Sequence, residues 1–350
     1  MRIISSLPEL EALGPRWDTL GGHFDGPTNS HAWAMAYAGA MPRGERLHVV
    51  TVDGPEGAPL AIAPLVRLPL GRLRFIGDRL GEPVDVRSAD PAALRLLTDA
   101  LARAGAALTL HRVPSGSPTI DALRASYSGR GLLRLRPAVS SPVIQLDDGW
   151  VDPQRRFNSG RRSDFRRALR RAGEQGEVTF EILTPSPGEL GPLLDEAFEV
   201  EAAGWKGAKG TALRLDPVVG QFFRNYSAAA AKEGILRLAF MRIGGRAVAT
   251  QLAVEYARRF WLLKIGYDES LSRCSPGTLL MLHTLGDAAA RGLAGYEFLG
   301  AEAPWTAMWT SEVLATTVVG AYRPRLPAGA ALAADAADVA KAYALRRMRR

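Results

Sequence analysis

Cysteine is nearly missing from this chain. Cys274 is the only one among 350 residues, so no internal disulfide can form and the disulfide-stapled folds of small secreted domains are excluded. Five scattered histidines form no Cys/His cluster at metal-ligand spacing, which removes zinc modules, and no metal is expected. Lysine is scarce as well: positions 206, 209, 232, 264 and 341 leave 39 arginines among the 44 basic residues, a bias that reads as a GC-rich genome rather than as phosphate binding. Long apolar runs are also lacking. Met1-Arg2-Ile3-Ile4-Ser5 meets Glu9 and Glu11 at once, and the stretch 327–345 is interrupted by Asp335, Asp338 and Lys341. Neither a secretory signal nor a membrane span is expected, and the cytoplasm is the expected compartment.

What is present has globular composition. Apolar residues make up 47% and charged residues 23% of a 37.7 kDa chain, about twice the usual domain length, so two domains with real cores are expected. The formal charge of +8 and pI near 9.9 invite a nucleic-acid reading, but the charge is local. Eight arginines against Asp164 give +7 over 155–171, four more in the last five residues give +4, and the remainder sums to −3. Aromatic interleaving of the kind used by single-strand binders is absent. Nucleic acid is therefore an unlikely partner, and the basic helix can equally guide a polyanionic cofactor or an acidic acceptor.

Periodicity predicts helices over 5–20, 30–40, 91–104 and 119–126, with strands over 47–52, 60–66, 108–113, 132–135 and 143–146. The acidic turn Asp147-Asp148-Gly149-Trp150-Val151-Asp152-Pro153 suggests a junction, giving domains over 1–150 and 151–325 and an alanine-rich basic helical tail over 326–350. The second domain reads as a basic helix over 155–171, a strand over 178–182 and a helix over 190–203. A Gly/Lys loop and a helix over 217–232 follow. Strands over 236–243, 247–256 and 259–267 come next, then a ten-residue loop, a helix over 278–291 and a strand over 296–299. The two halves share this rough order, and the fold class expected is α/β of the α+β kind.

The loop carries the strongest local chemistry. In Arg273-Cys274-Ser275-Pro276-Gly277-Thr278-Leu279, Ser275 can cap the following helix, Pro276 suits its first position and Gly277 admits close approach to the backbone. Outward amides at the positive helix end, with the charge of Arg273, make a seat for a pyrophosphate. An ordinary Ser-Pro-Gly helix start is the competing reading.

The runs Leu263-Lys264-Ile265-Gly266-Tyr267-Asp268, Ser275-Pro276-Gly277-Thr278-Leu279-Leu280, and Gly292 with Glu297-Phe298-Leu299-Gly300 and Glu302 resemble the CelD/BcsL-type acetyltransferase-like family. Similar in the same way are Pro27-Thr28-Asn29-Ser30-His31-Ala32-Trp33, Ala61-Ile62-Ala63-Pro64-Leu65, the helix bearing Phe157 and Arg161-Arg162-Ser163-Asp164-Phe165-Arg166-Arg167, and Glu201 with Trp205-Lys206. That family belongs to the GNAT superfamily and is related to the Fem aminoacyltransferases; the likeness spans roughly residues 17–322. It implies two tandem GNAT-like domains, each a mixed sheet flanked by helices, with acetyl-CoA or another acyl-CoA as co-substrate bound in the second. One departure stands out: Trp305-Thr306 follows Glu302 where such proteins commonly carry a Tyr-Lys pair, so no role of that pair transfers.

Acyl transfer from a thioester to an amine needs a deprotonated nucleophile, a donor for the developing oxyanion and a proton for the leaving thiolate. The resemblance places the oxyanion amide at about 264–267. Glu302, beyond the end of a strand, is the first candidate for base or acceptor anchor. Tyr267 can protonate the thiolate, Asp268 can orient the acceptor or cap the loop, and Lys264 is a lone lysine in an apolar strand. Arg273, Ser275, Pro276, Gly277, Thr278 and Leu279 are the cofactor-binding candidates. Trp205, Lys206, Gln251 and Trp305 are candidates for the acceptor side. His283 reads as a structural helix histidine, and covalent catalysis by Cys274 is rejected.

The function expected is acyl-CoA-dependent N-acyl transfer to an amine of a small molecule, sugar or envelope/exopolysaccharide precursor. The alternatives are a Fem-like transferase using aminoacyl-tRNA, in which case tRNA is a partner, and a non-catalytic GNAT-fold protein of polysaccharide biosynthesis.

Overall fold

The computed structural model describes residues 1–323 apart from 56, 106, 205–212 and 214. The chain divides into two compact units, one made of Met1–Ser140 and the chain from Leu314 onward, the other of Ser141–Val313. This division differs from the expected one at both ends. The strand containing Val143 pairs with Gly295–Glu297 in the second unit, and the strand Thr316–Tyr322 pairs in the first. The segment 326–350 lies outside the described residues.

The first unit runs β1 (Arg2–Ile4), α1 (Leu7–Glu11), α2 (Gly14–Trp17), α3 (His31–Ala38), β2 (Arg46–Leu47), β3 (Val49–Asp53), β4 (Pro59–Ala63), β5 (Leu65–Arg67), β6 (Leu73–Phe75), β7 (Arg87–Ser88), α4 (Pro91–Ala104), β8 (Leu108–Pro114), α5 (Pro118–Tyr127) and β9 (Leu132–Pro137). The helix expected over 5–20 is two short ones, because Gly14-Pro15 starts a new helix. The strands form one sheet in the order β1-β3-β4-β7. A second sheet has the order β2-β5-β6-β8, then Thr316–Tyr322, then β9. Helix α4 starts where the Asp90 carboxylate accepts the Ala93 N–H at 2.7 Å and ends at Gly105, whose φ of 73° needs no Cβ. Leu94, Leu97 and Leu101, spaced to share a face, enter a core with Leu65, Phe75 and Leu110.

The second unit runs β10 (Ser141–Gln145), α6 (Ser159–Gly173), β11 (Val178–Leu183), α7 (Leu190–Ala202), α8 (Pro217–Lys232), β12 (Leu236–Ile243), β13 (Arg246–Tyr256), β14 (Arg259–Tyr267), α9 (Pro276–Ala290) and β15 (Gly295–Glu297). Its sheet has the order β11-β12-β13-β14-β15-β10, then Val313–Leu314. Gly244 and Gly245, at φ 56° and 80°, close the β12–β13 hairpin. The basic helix starts later than expected. Pro153–Arg156 is a separate turn, Phe157 is extended, and Asn158 caps α6 by accepting the Arg161 N–H at 2.8 Å. Phe165, Ala168 and Ala172 turn its one apolar stripe into the core beside α9, and its arginines take the remaining faces. No helix among the described residues is long and apolar enough to cross a membrane.

Candidate active site

The second unit's sheet opens at one place. β14 and β15 run parallel but pair only at Arg259–Trp261 with Gly295–Glu297. Beyond Glu297 the chain turns away through Leu299 and Gly300, at φ 48° and 49°. The other edge of β14 stays paired with β13 as far as Tyr267, where the Asp268 N–H donates to the Val248 carbonyl at 2.9 Å. In an antiparallel ladder the direction of the amides alternates. The amides of Ile265 and Tyr267 therefore point toward the side where β15 has diverged.

A bulge in β14, between its pairings with Leu252 and Ala253, resets its faces. Phe260, Leu262, Ile265 and Tyr267 all join the core cluster under α9. Lys264 turns to the other face, where its Nζ stands 4.8 Å from the Phe223 ring centre on α8. Gly266 is required by close packing: a Cβ there would lie 2.4 Å from the Glu201 Cα. Glu201 itself is 3% exposed and accepts the Leu213 N–H at 2.9 Å. The C-terminal turn of α7 is thus pressed onto the end of β14.

The proposed pyrophosphate seat is narrower than the motif suggests. Ser275 does not cap α9 with its side chain; its backbone is left-handed, at φ 46° and ψ 48°. Its carbonyl takes the Thr278 and Leu279 N–H groups at 3.0 and 3.1 Å. Pro276 has no N–H, so among the described residues Gly277 carries the first-turn amide without an intrahelical acceptor. A Cβ on Gly277 would rest 3.4 Å from the Tyr267 ring, which places the glycine beside that tyrosine. Leu279 is buried in the core, whereas Arg273 and Ser275 are exposed, and the Arg273 carbonyl accepts from Arg171 at 3.4 Å.

Several candidates are tied elsewhere. Asp268 caps the loop, its Oδ1 accepting from the Ser270 N–H and hydroxyl at 2.9 and 2.6 Å, while Oδ2 pairs with Arg246. With both oxygens engaged, loop capping replaces the acceptor-orienting role. Gln251 is 2% exposed; its Oε1 accepts from the Tyr296 hydroxyl at 3.1 Å, and that hydroxyl lies 3.1 Å from Thr284 Oγ1. It braces the sheet against α9 instead of facing an acceptor. Burial drives the Tyr296 hydroxyl well above its ordinary range. Cys274 sits in the core at 5% exposure, and His283 stacks on Phe180 with ring centres 5.1 Å apart.

On the loop after β15, Glu302 is exposed and Trp305 packs edge-on to Phe298 at 5.7 Å. Thr306, in the position of the departure, is buried: its hydroxyl donates to the Ala303 carbonyl and accepts the Ala303 N–H, holding the turn. Trp205 and Lys206 lie outside the described residues. Sequence reasoning missed the backbone constraint of Gly266 against Glu201. Its signal was a glycine inside an otherwise apolar strand.

Residues 159–306 match the family model described as an acetyltransferase (GNAT) domain. The second unit accordingly has a GNAT-like fold, a mixed sheet flanked by helices. Its split strands and the helix start beside them are β14, β15 and α9. The whole chain is similar in fold to FemX, with a TM-score of 0.57 at 13% identity over 93% of this chain and 98% of that one. It is similar also to the L-PGS of Bacillus licheniformis, with a TM-score of 0.53 at 14% identity over 93% and 95%. A conserved protein of unknown function from Bacteroides thetaiotaomicron scores 0.57 at 10% identity over 92% and 100%. At such identities the likeness speaks to fold alone. No curated protein matches the chain in sequence.

Proposed function

We propose that the GNAT domain is an N-acyltransferase of the CelD/BcsL type, using acetyl-CoA or a longer acyl-CoA. The acceptor would be an amine of a small molecule, sugar or envelope/exopolysaccharide precursor. The observation that carries this is the divergence of β14 from β15 after Trp261 and Glu297, beside a helix start whose Gly277 leaves room at the backbone. Acyl-CoA would supply the activated thioester. The residues that fit it are Gly277, Ser275 and Arg273 for the pyrophosphate and the Tyr267 amide for the acyl carbonyl. That amide would stabilise negative charge developing on the oxygen, and the Tyr267 hydroxyl is the proposed proton donor to the departing sulfur. Glu302 remains the proposed acceptor anchor or base, and Trp305 with Lys206 and Trp205 the acceptor wall. Lys264, on the opposite face of β14, would bear on this chemistry through the placement of that strand.

Native mass spectrometry of the full chain with acetyl-CoA tests the reading. A one-to-one complex is expected, and its absence at high ligand concentration overturns the proposal. Gly277→Trp should abolish the complex by filling the approach to the backbone. A Glu302→Gln variant that keeps full turnover removes Glu302 as base.

The sequence resemblance to Fem aminoacyltransferases leaves a second reading, transfer from aminoacyl-tRNA, with the exposed arginines of α6 as the polyanion surface. Binding of charged tRNA at physiological salt, with no acyl-CoA complex, would select it. Turnover from neither donor would select the non-catalytic alternative.

A further inference from the structure

A cavity of the first unit, independent of the acyltransferase reading, gathers charged and apolar groups that the proposed function does not use. The antiparallel pairing of β2 with β5 puts Arg46 directly opposite Arg67. Like charges at facing positions on one side of a strand pair repel and cost stability. Both side chains are exposed, and among the described residues neither has a carboxylate partner. His48, two residues beyond Arg46, extends the same run: its N–H donates to the Leu65 carbonyl at 3.0 Å, one step along the register. Burial first, and Arg67 second, hold its imidazole below the ordinary value, so near neutrality it offers one N–H donor without adding a third charge.

These three side chains line an open cavity of about 760 Å³, in the size range of small-molecule sites. Leu7, Met41 and Leu68 supply an apolar wall. The one acid in the lining, Glu45, has its Oε2 engaged by the Tyr37 hydroxyl at 2.9 Å, and burial raises its carboxyl above the ordinary value. Two unmatched guanidiniums beside an apolar wall suit an anion attached to hydrocarbon, because each guanidinium can give charge-assisted hydrogen bonds to a phosphate or carboxylate.

We propose that this cavity binds a single-chain amphiphile whose phosphate or carboxylate head sits between Arg46 and Arg67 and whose chain lies along Leu7, Met41 and Leu68. Isothermal titration calorimetry of the full chain at low salt, with octyl phosphate below its micelle concentration, tests it. The expected result is saturable one-to-one binding that the Arg46→Gln/Arg67→Gln double variant weakens by about tenfold or more, as expected for lost charge-assisted bonds. Inorganic phosphate should bind about tenfold more weakly than octyl phosphate, since it lacks the buried chain. Leu68→Asp, which leaves both arginines in place, should also weaken octyl phosphate. Without ligand, the double variant should melt no lower than the parent, because it removes a repulsion. Absence of saturable binding, equal binding by the double variant, or equal affinity for inorganic phosphate each overturns the proposal.

Discussion

Gly266 is the residue at which this site is least tolerant. A methyl group there meets the Glu201 Cα at 2.4 Å, and because the obstacle is backbone, α7 or β14 must move. Gly266→Ala is expected to lose about 1–3 kcal/mol in urea unfolding, the usual range for overpacking. It should also lower turnover, since β14 carries the Tyr267 amide proposed to meet the acyl carbonyl. An unchanged midpoint and unchanged turnover would show that α7 can move aside freely. Gln251 behaves oppositely. Gln251→Leu leaves the buried Tyr296 hydroxyl without one of its partners, so a loss of about 1–3 kcal/mol is expected while KM for the acceptor stays the same. A raised KM with unchanged stability would return Gln251 to the acceptor surface.

At the scale of elements, what was legible in the sequence is local. The meander of β12, β13 and β14 declares itself because Gly244-Gly245 and two alternating runs sit within about thirty residues. α8 declares itself through the Asp216-Pro217 start, with Asp216 accepting two N–H groups at 3.1 Å. The rest depends on partners distant in the chain. Thr316–Tyr322 lies between β8 and β9, and β10 finds its partner about 150 residues away in β15, pairings that no local period can announce. At the site, the spacing of Ser275, Pro276 and Gly277 marked the right helix start, but the left-handed backbone of Ser275, the pairing of Asp268 with Arg246 and the burial of Gln251 depend on packing. One turn is locally unsuited to its conformation. Ala257 and Arg258 close the β13–β14 hairpin at φ 48° and 59°, values that favour Asn and Gly. The A257N/R258G variant is therefore expected to gain about 1 kcal/mol, read as a raised thermal midpoint. A lowered midpoint would mean that the Arg258 bond to the Gly292 carbonyl, at 3.2 Å, outweighs the backbone relief.

At the scale of the molecule, each unit contains a parallel strand pair that separates, together with a helix entering the second strand of the pair. The two units differ in what stands there. In the second unit β14 and β15 part beside Gly277. In the first, β6 and β8 meet only at Leu73 and Leu108, and a short way beyond, Asp78 holds His111 at 2.7 Å and Arg74 at 3.4 Å, tying the separated ends together. The helix starts differ as well. Asp90 places a carboxylate on the first-turn amides of α4, where it repels a second anion, whereas α9 has no side-chain cap. A pyrophosphate is thus opposed at α4 by charge and by an occupied N–H. One acyl-CoA per chain is the expected stoichiometry in calorimetry or native mass spectrometry, with Gly277→Trp removing it entirely. A second equivalent that survives in Gly277→Trp would show that both units bind the donor.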